Sequence, residues 1–203
     1  MKPSHSKGII SAETLLRGYR QGVFPMGDCE TGRIGWYTGV VVGFRLRRGI
    51  IPLDEFHTPG RLRRELRKHP FDIRVDTAFS EVIARCQDRP DTWITKTIQR
   101  SYERLHEMGH AHSVEAWRDD ELEGGLYGVA IGGAFFGESM FYRADNASKA
   151  ALIALVDRLR SRGFALLDTQ MLTPLTAQFG ARYIEYEEYL IRLEKAIEMP
   201  CEF

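Results

Sequence analysis

Residues 112 to 142 leave this chain little choice of fold. Three apolar runs, 112–117, 122–131 and 134–142, are separated only by Asp119-Asp120 and Gly132-Gly133. Such turns between short apolar runs predict an antiparallel meander. Asn146 or Ser148 is then expected to cap an amphipathic helix, with Leu152, Leu155, Val156 and Leu159 inward and Gly163 at its end. A further strand ends the order helices, three strands, helix, strand, which is an α+β domain with a mainly antiparallel sheet.

Upstream, Ser11 reads as the N-cap of a short helix ending near Gly22, and Phe24-Pro25-Met26-Gly27 as a turn-rich link. Residues 28–60 read as loop and short strand: Ile34-Gly-Trp36-Tyr37, Val40-Val-Val and Gly49-Ile-Ile-Pro-Leu53. A basic helix is expected over 61–69 with Leu62 and Leu66 facing the core, and a strand over 71–75. Asp76 is expected to cap a helix through Cys86, with Phe79, Val82 and Ile83 inward. A second helix should end at Gly109 and bury Ile98, Tyr102, Leu105 and Met108.

Two carboxylates interrupt apolar strands. In Gly163-Phe-Ala-Leu-Leu-Asp168-Thr-Gln170, strand alternation points Asp168 and Gln170 to one side with Leu166. A buried carboxylate must be hydrogen-bonded or have chemistry to do. Next to an amide at a strand end it marks a candidate site; the alternative is a strand end whose Asp starts the next turn. In Phe135-Phe136-Gly137-Glu138-Ser139-Met140-Phe141, alternation groups Glu138 with Phe136 and Met140. A Glu on an edge strand reaching water is the alternative there.

The 203 residues suit one large domain, or a main domain carrying a small one. Basic and acidic residues balance at 28 each, so any RNA contact must come from a local patch. The basic run Arg61, Arg63, Arg64, Arg67, Lys68 offers one: Arg61, Arg64 and Lys68 share a helical stripe. A solvated helix face is its other reading. The glycines at 124, 125, 128, 132, 133 and 137 fit neither a Walker loop nor G-x-G-x-x-G. Cys29, Cys86 and Cys201 have no metal or disulfide spacing, and His106, His110 and His112 lack a partner at ligand spacing, so no metal is expected. Residues 1–7 carry no apolar leader and no run approaches a membrane span, which predicts a soluble, cytoplasmic protein.

The pieces together resemble leucyl/phenylalanyl-tRNA–protein transferases. The resemblance runs in order through Leu15-Leu16-Arg-Gly-Tyr-Arg-Gln-Gly-Val-Phe24-Pro25-Met26, Gly49-Ile-Ile-Pro-Leu-Asp-Glu-Phe-His57 and Thr92-Trp-Ile. It continues through His110-Ala-His-Ser-Val-Glu115, Gly124-Gly-Leu-Tyr-Gly-Val-Ala130, Phe136-Gly-Glu-Ser-Met-Phe141, Ala147-Ser-Lys149 and Leu167-Asp-Thr-Gln170. It implies a small N-terminal domain, here residues 1–60, and a GNAT-like catalytic domain, here 61–203.

The implied reaction moves Leu or Phe, and less readily Met, from its tRNA to the α-amino group of proteins beginning with Arg or Lys. The product would be marked for degradation by the N-end rule pathway. The aminoacyl ester is already activated, so no cofactor is implied, and a monomer is expected. The resemblance assigns catalysis to Asp168, Gln170 and Glu138. Asp168 would draw charge from the acceptor amine through Gln170, and Glu138 would hold the amine of the aminoacyl group. Leu126, Phe135, Leu152 and Leu155 would form the side-chain pocket, Trp36 and Trp93 would flank the terminal adenosine, and Arg61, Arg64, Arg67 and Lys68 would meet the tRNA.

Two places depart from the family pattern. After Trp36-Tyr37 the family passes through a short proline-containing stretch to Arg-Gly, whereas here Thr38-Gly-Val-Val-Val-Gly-Phe-Arg-Leu-Arg47 intervenes. Leu175 stands where the family commonly has His. Two other functions are open: an acetyl-CoA-dependent acetyltransferase, and a tRNA-binding homologue without turnover. Arg143-Ala-Asp-Asn-Ala-Ser-Lys lacks the glycines of a pyrophosphate loop, which weighs against the first.

Overall fold

The computed structural model describes residues 8–203; the reading of residues 1–7 as free of a leader lies outside it. The fold is α+β, built on a mostly antiparallel sheet with helices on both faces. The meander forms as expected: β6 (Ala111–Arg118), β7 (Glu121–Ile131) and β8 (Ala134–Tyr142) pair antiparallel. The strand β5 (Asp72–Val75) extends it at the outer edge. On the other side β9 (Leu166–Gln170) lies parallel to β8. Beyond it come β4 (Arg45–Ile51) and β10 (Arg182–Glu185), both antiparallel to their neighbours. A short β3 (Val40–Val42) pairs with the first half of β4. Residues 45–51 therefore contribute a strand to the sheet built by the later part of the chain.

One face of the sheet is covered by α1 (Ala12–Arg20), α3 (Phe79–Gln87), α4 (Lys96–Glu107) and α7 (Tyr186–Ile197), which bury Leu15, Tyr19, Ile83, Tyr102, Leu105, Tyr189 and Leu193. The other is covered by α5 (Ala147–Ser161) with α2 (Gly60–Lys68) at its side, burying Leu152, Leu155, Val156, Leu159 and Leu62. A 3.6-residue apolar period on each helix supplies these stripes. A four-residue α6 (Pro174–Ala177) follows β9. Among the described residues no helix is long and apolar enough to cross a membrane, and all three cysteines are unpaired.

Several local expectations change. Phe24–Gly27 is not a turn but strand β1, paired with β2 (Ile34–Tyr37) so that Pro25 faces Trp36. In a two-stranded ribbon each strand has a free edge, where a proline's missing N–H is harmless. The strand expected over 49–53 starts earlier, at Arg45, and ends at Ile51. Asp76 does not cap α3; it sits at φ 58° and accepts from the Ser113 amide (2.8 Å) and His112 Nδ1 (2.8 Å). Among the described residues no side chain caps α3; buried Glu115 of β6 instead accepts from the N–H groups of Thr77 and Ala78, just before the helix, at 3.3 Å each. Met108 lies past the end of α4 and is exposed. Asn146 precedes α5 in the left-handed region, but neither it nor Ser148 makes a side-chain cap; Asn146 Oδ1 accepts from Lys149 Nζ at 3.0 Å.

Candidate active site

The parallel seam between β8 and β9 is short: Ala134, Phe135 and Phe136 align with Leu166, Leu167 and Asp168. Beyond that point β8 continues to Tyr142 and β9 to Gln170 without pairing to each other. The two strands part, and Glu138 and Gln170 stand on either side of the opening.

A β-bulge sets the direction of Glu138. On β7 Tyr127 aligns with Ser139 and Gly128 with Gly137, so Glu138 is the extra residue. Bulges shift the facing of every later side chain. Phe136, Glu138 and Phe141 consequently face the α1–α4 side, while Met140 packs on the α5 side. The expected grouping of Glu138 with Met140 fails for this reason. Gly128 permits the bulge: a Cβ there would lie 2.3 Å from the Phe136 carbonyl oxygen.

Glu138 is partly open to solvent, yet its carboxylate is packed deep among aromatic side chains. Tyr19 donates to Oε1 (2.7 Å), Tyr102 to Oε2 (3.0 Å), and the Gln170 amide reaches Oε1 at 3.5 Å. The two phenol oxygens also contact one another. Burial pushes the Glu138 carboxyl up to about 7, against the lowering effect of the two tyrosine bonds. Burial and the neighbouring Glu138 charge hold Tyr19 and Tyr102 well above the ordinary phenol value, so both remain donors. Such a carboxylate is poised between its two protonation states at neutral pH.

Asp168 is fully buried and fully engaged. It receives Arg48 Nε at 2.9 and 3.1 Å, Arg48 Nη2 at 2.8 Å, the Tyr189 hydroxyl at 2.7 Å and the Gln170 amide N–H at 2.8 Å. Arg48 is itself inaccessible, its guanidinium lying over the rings of Phe24 and Tyr189. Its Nη1 donates to the carbonyls of Gly22 (3.1 Å) and Thr38 (2.6 Å). Burial opposes the guanidinium charge, but Asp168 and Tyr189 outweigh it and hold Arg48 in its charged form. The bond to Asp168 fixes the Gln170 backbone at φ 55°, an unfavourable conformation for a residue with a side chain. Gln170 thus meets Asp168 through its backbone, leaving its side-chain amide free to turn toward Glu138.

Arg48 is the site residue that sequence reasoning missed. A charged run, Arg45-Leu-Arg47-Arg48, reads as exposed strand, and only the register of β4 against β9 brings Arg48 beside a carboxylate 120 positions away. His112 likewise acquires an acidic partner in Asp76 only through tertiary pairing.

The remaining predicted positions fall into three places. Leu126, Phe135, Leu152 and Leu155 are buried together in the α5-side core. Trp36 and Trp93 flank β1: Trp36 lies opposite Pro25 and Trp93 accepts from the Gly27 N–H. Arg61, Arg64, Arg67 and Lys68 are exposed on α2. Arg63 and Arg67 also line a groove of about 500 Å³ with His57, Arg160 and Asp157.

Two family matches span most of the chain. The family described as leucyl/phenylalanyl-tRNA protein transferase matches residues 50–194, and its N-terminal domain matches residues 8–38. A leucyl/phenylalanyl-tRNA–protein transferase from Gloeobacter violaceus is 49% identical over 96% of this chain and 97% of its own length. One from Salinibacter ruber is 50% identical over 90% of this chain and 80% of its own. Among solved structures, that of L-PGS from Bacillus licheniformis is a distant likeness, with a TM-score of 0.45 and 11% identity over 93% of this chain and 71% of that one.

Proposed function

The chain belongs to the leucyl/phenylalanyl-tRNA–protein transferase family, and from that premise we propose that it moves leucine or phenylalanine, and methionine less readily, from tRNA to the α-amino group of proteins beginning with Arg or Lys. The product enters N-end rule degradation in the cytoplasm, and the enzyme works as a monomer without a cofactor. Residues 1–60 and 61–203 are its small and catalytic domains, the first lending strand β4 to the sheet of the second.

One observation carries the mechanism: Glu138 and the Gln170 amide face each other where β8 and β9 part. The acceptor nitrogen attacks the ester carbonyl carbon, a C–N bond forms, and the bond to the ribose oxygen breaks. The nitrogen must shed a proton and the leaving ribose oxygen must gain one. Glu138, with a proton affinity near neutral, takes the proton from the attacking nitrogen and passes one to the leaving ribose oxygen, and in its charged form it faces the bound amine. Asp168, neutralised by Arg48, serves as the fixed support that aims Gln170 at the acceptor. The aminoacyl side chain enters between the strands toward Leu126, Phe135, Leu152 and Leu155. Such an apolar wall separates similar shapes by only about 1–3 kcal/mol per methylene, hence the breadth toward methionine. Trp36 and Trp93 flank the terminal adenosine, and Arg61, Arg64, Arg67 and Lys68 hold the tRNA backbone by charge.

Transfer of labelled leucine from leucyl-tRNA to a model protein beginning with Arg, beside the same protein beginning with Ala, tests the whole reading. Label on the Arg protein alone is the expected result. Salt-sensitive tRNA binding without label would instead favour a binding protein that has lost turnover.

A further inference from the structure

Residues 39–49 lie between the two stretches matched by the family, and 38–47 form a β-hairpin that follows Trp36 and Tyr37. Val42 and Arg45 are its last paired residues, and Gly43-Phe44 is its two-residue turn. Gly43, at φ 65°, occupies the first turn position, where hairpins favour glycine. Nothing in that geometry requires an aromatic next to it. Yet Phe44 is 106% exposed, touching none of its own fold, and Val41 beside it is 72% exposed. The root of the hairpin is held rigidly, since Thr38 accepts from buried Arg48.

The charge on this arm has one sign. Residues 38–47 contain Arg45 and Arg47 and no acid. Both guanidinium groups share one carboxylate, Glu185, at 3.7 and 3.1 Å, leaving a net positive arm. A protein acceptor with a cationic N-terminus would be repelled there. A single strand of nucleic acid would not: exposed aromatics stack on bases, and guanidinium groups meet phosphates.

We propose that the β3–β4 hairpin, through Phe44, Arg45 and Arg47, is a platform for the unpaired nucleotides next to the terminal adenosine of the donor RNA. This deepens the donor reading above and rests on it. Trp36 and Tyr37 end β2 and lead directly into the hairpin, so a strand leaving an adenosine at Trp36 can continue along it.

Binding of uncharged tRNA, intact or stripped of its 3′-terminal CCA, tests the platform without needing turnover. Phe44 makes no packing contact, so Phe44→Ala should melt at the wild-type temperature. It should bind intact tRNA about tenfold more weakly, the size of one lost stacking contact, and stripped tRNA as tightly as wild type does. Arg45→Ala should lower the salt dependence for intact tRNA alone, by about one counterion. Equal effects of Phe44→Ala on both RNAs, or none on either, would overturn the platform while leaving the donor reading standing. A raised KM for the acceptor protein with unchanged RNA affinity would assign the hairpin to protein and overturn it too. Wild-type protein binding neither RNA would remove the donor reading itself.

Discussion

Glu138 works against the stability of its own fold. Burial lifts its carboxyl from 4.5 to about 7, so the folded state binds that proton more tightly than the unfolded chain does. Its contribution is therefore neutral at low pH, and stability is lost as pH rises from about 4.5 through about 7. At about 1.4 kcal/mol per pKa unit the loss approaches ~3 kcal/mol at pH 8. Glu138→Gln should accordingly be more stable than wild type by roughly 1–3 kcal/mol at pH 8, with no gain at pH 4. Urea melts at the two pH values check this, and the same variant should lose the rise in transfer rate through about pH 7. Arg48 behaves in the opposite way. Arg48→Lys keeps the charge but loses the planar fork that fills Asp168, and should destabilise by about 3–5 kcal/mol. The support under Gln170 goes with it, so transfer should fall about a hundredfold with donor affinity unchanged; equal turnover would show that Arg48 supports folding alone. Asp168, Gln170 and Glu138 were legible in the sequence because each interrupts an apolar run. Arg48 was not, because an arginine in an arginine-rich strand carries no local mark of burial.

Among the elements, β8 carries the main burden, ending the α5-side core, turning at a bulge and then lining the opening. Gly128→Ala tests that turn from the partner strand. Its Cβ would meet the Phe136 carbonyl oxygen and the buried Phe135 ring, so β8 must shift and Glu138 with it. A loss of about 1–3 kcal/mol and reduced transfer are expected; wild-type melting and turnover would mean that the bulge tolerates either facing. The meander was legible because its turns are written in local residues, Asp119-Asp120 and Gly132-Gly133. The strand β1 was hidden behind Pro25 and Gly27. The pairing of β4 with β9 was hidden by distance, since each partner reads alone as a short apolar run. Periodicity kept Glu138 with Phe136 but put Met140 and Phe141 on the wrong sides, because one extra residue in a strand reverses the alternation beyond it.

At the scale of the molecule, charge cancels: 28 basic residues face 28 acidic ones. RNA affinity must then come from patches, and α2 is the largest basic one in sequence. Removing Arg64 and Lys68 together should flatten the slope of log affinity against log salt by about two counterions; an unchanged slope would leave α2 a solvated surface. The whole chain also bears on the buried ion pair. Asp168 needs Arg48, 120 positions earlier, and Tyr189, 21 positions later. Before Tyr189 has been made, Asp168 lacks one of its hydrogen-bond donors, and the helix that carries Tyr189 does not yet cover Arg48. During synthesis the Arg48–Asp168 pair is thus among the last things to close, and a chain still short of α7 on the ribosome leaves that pair uncovered and Asp168 one donor short.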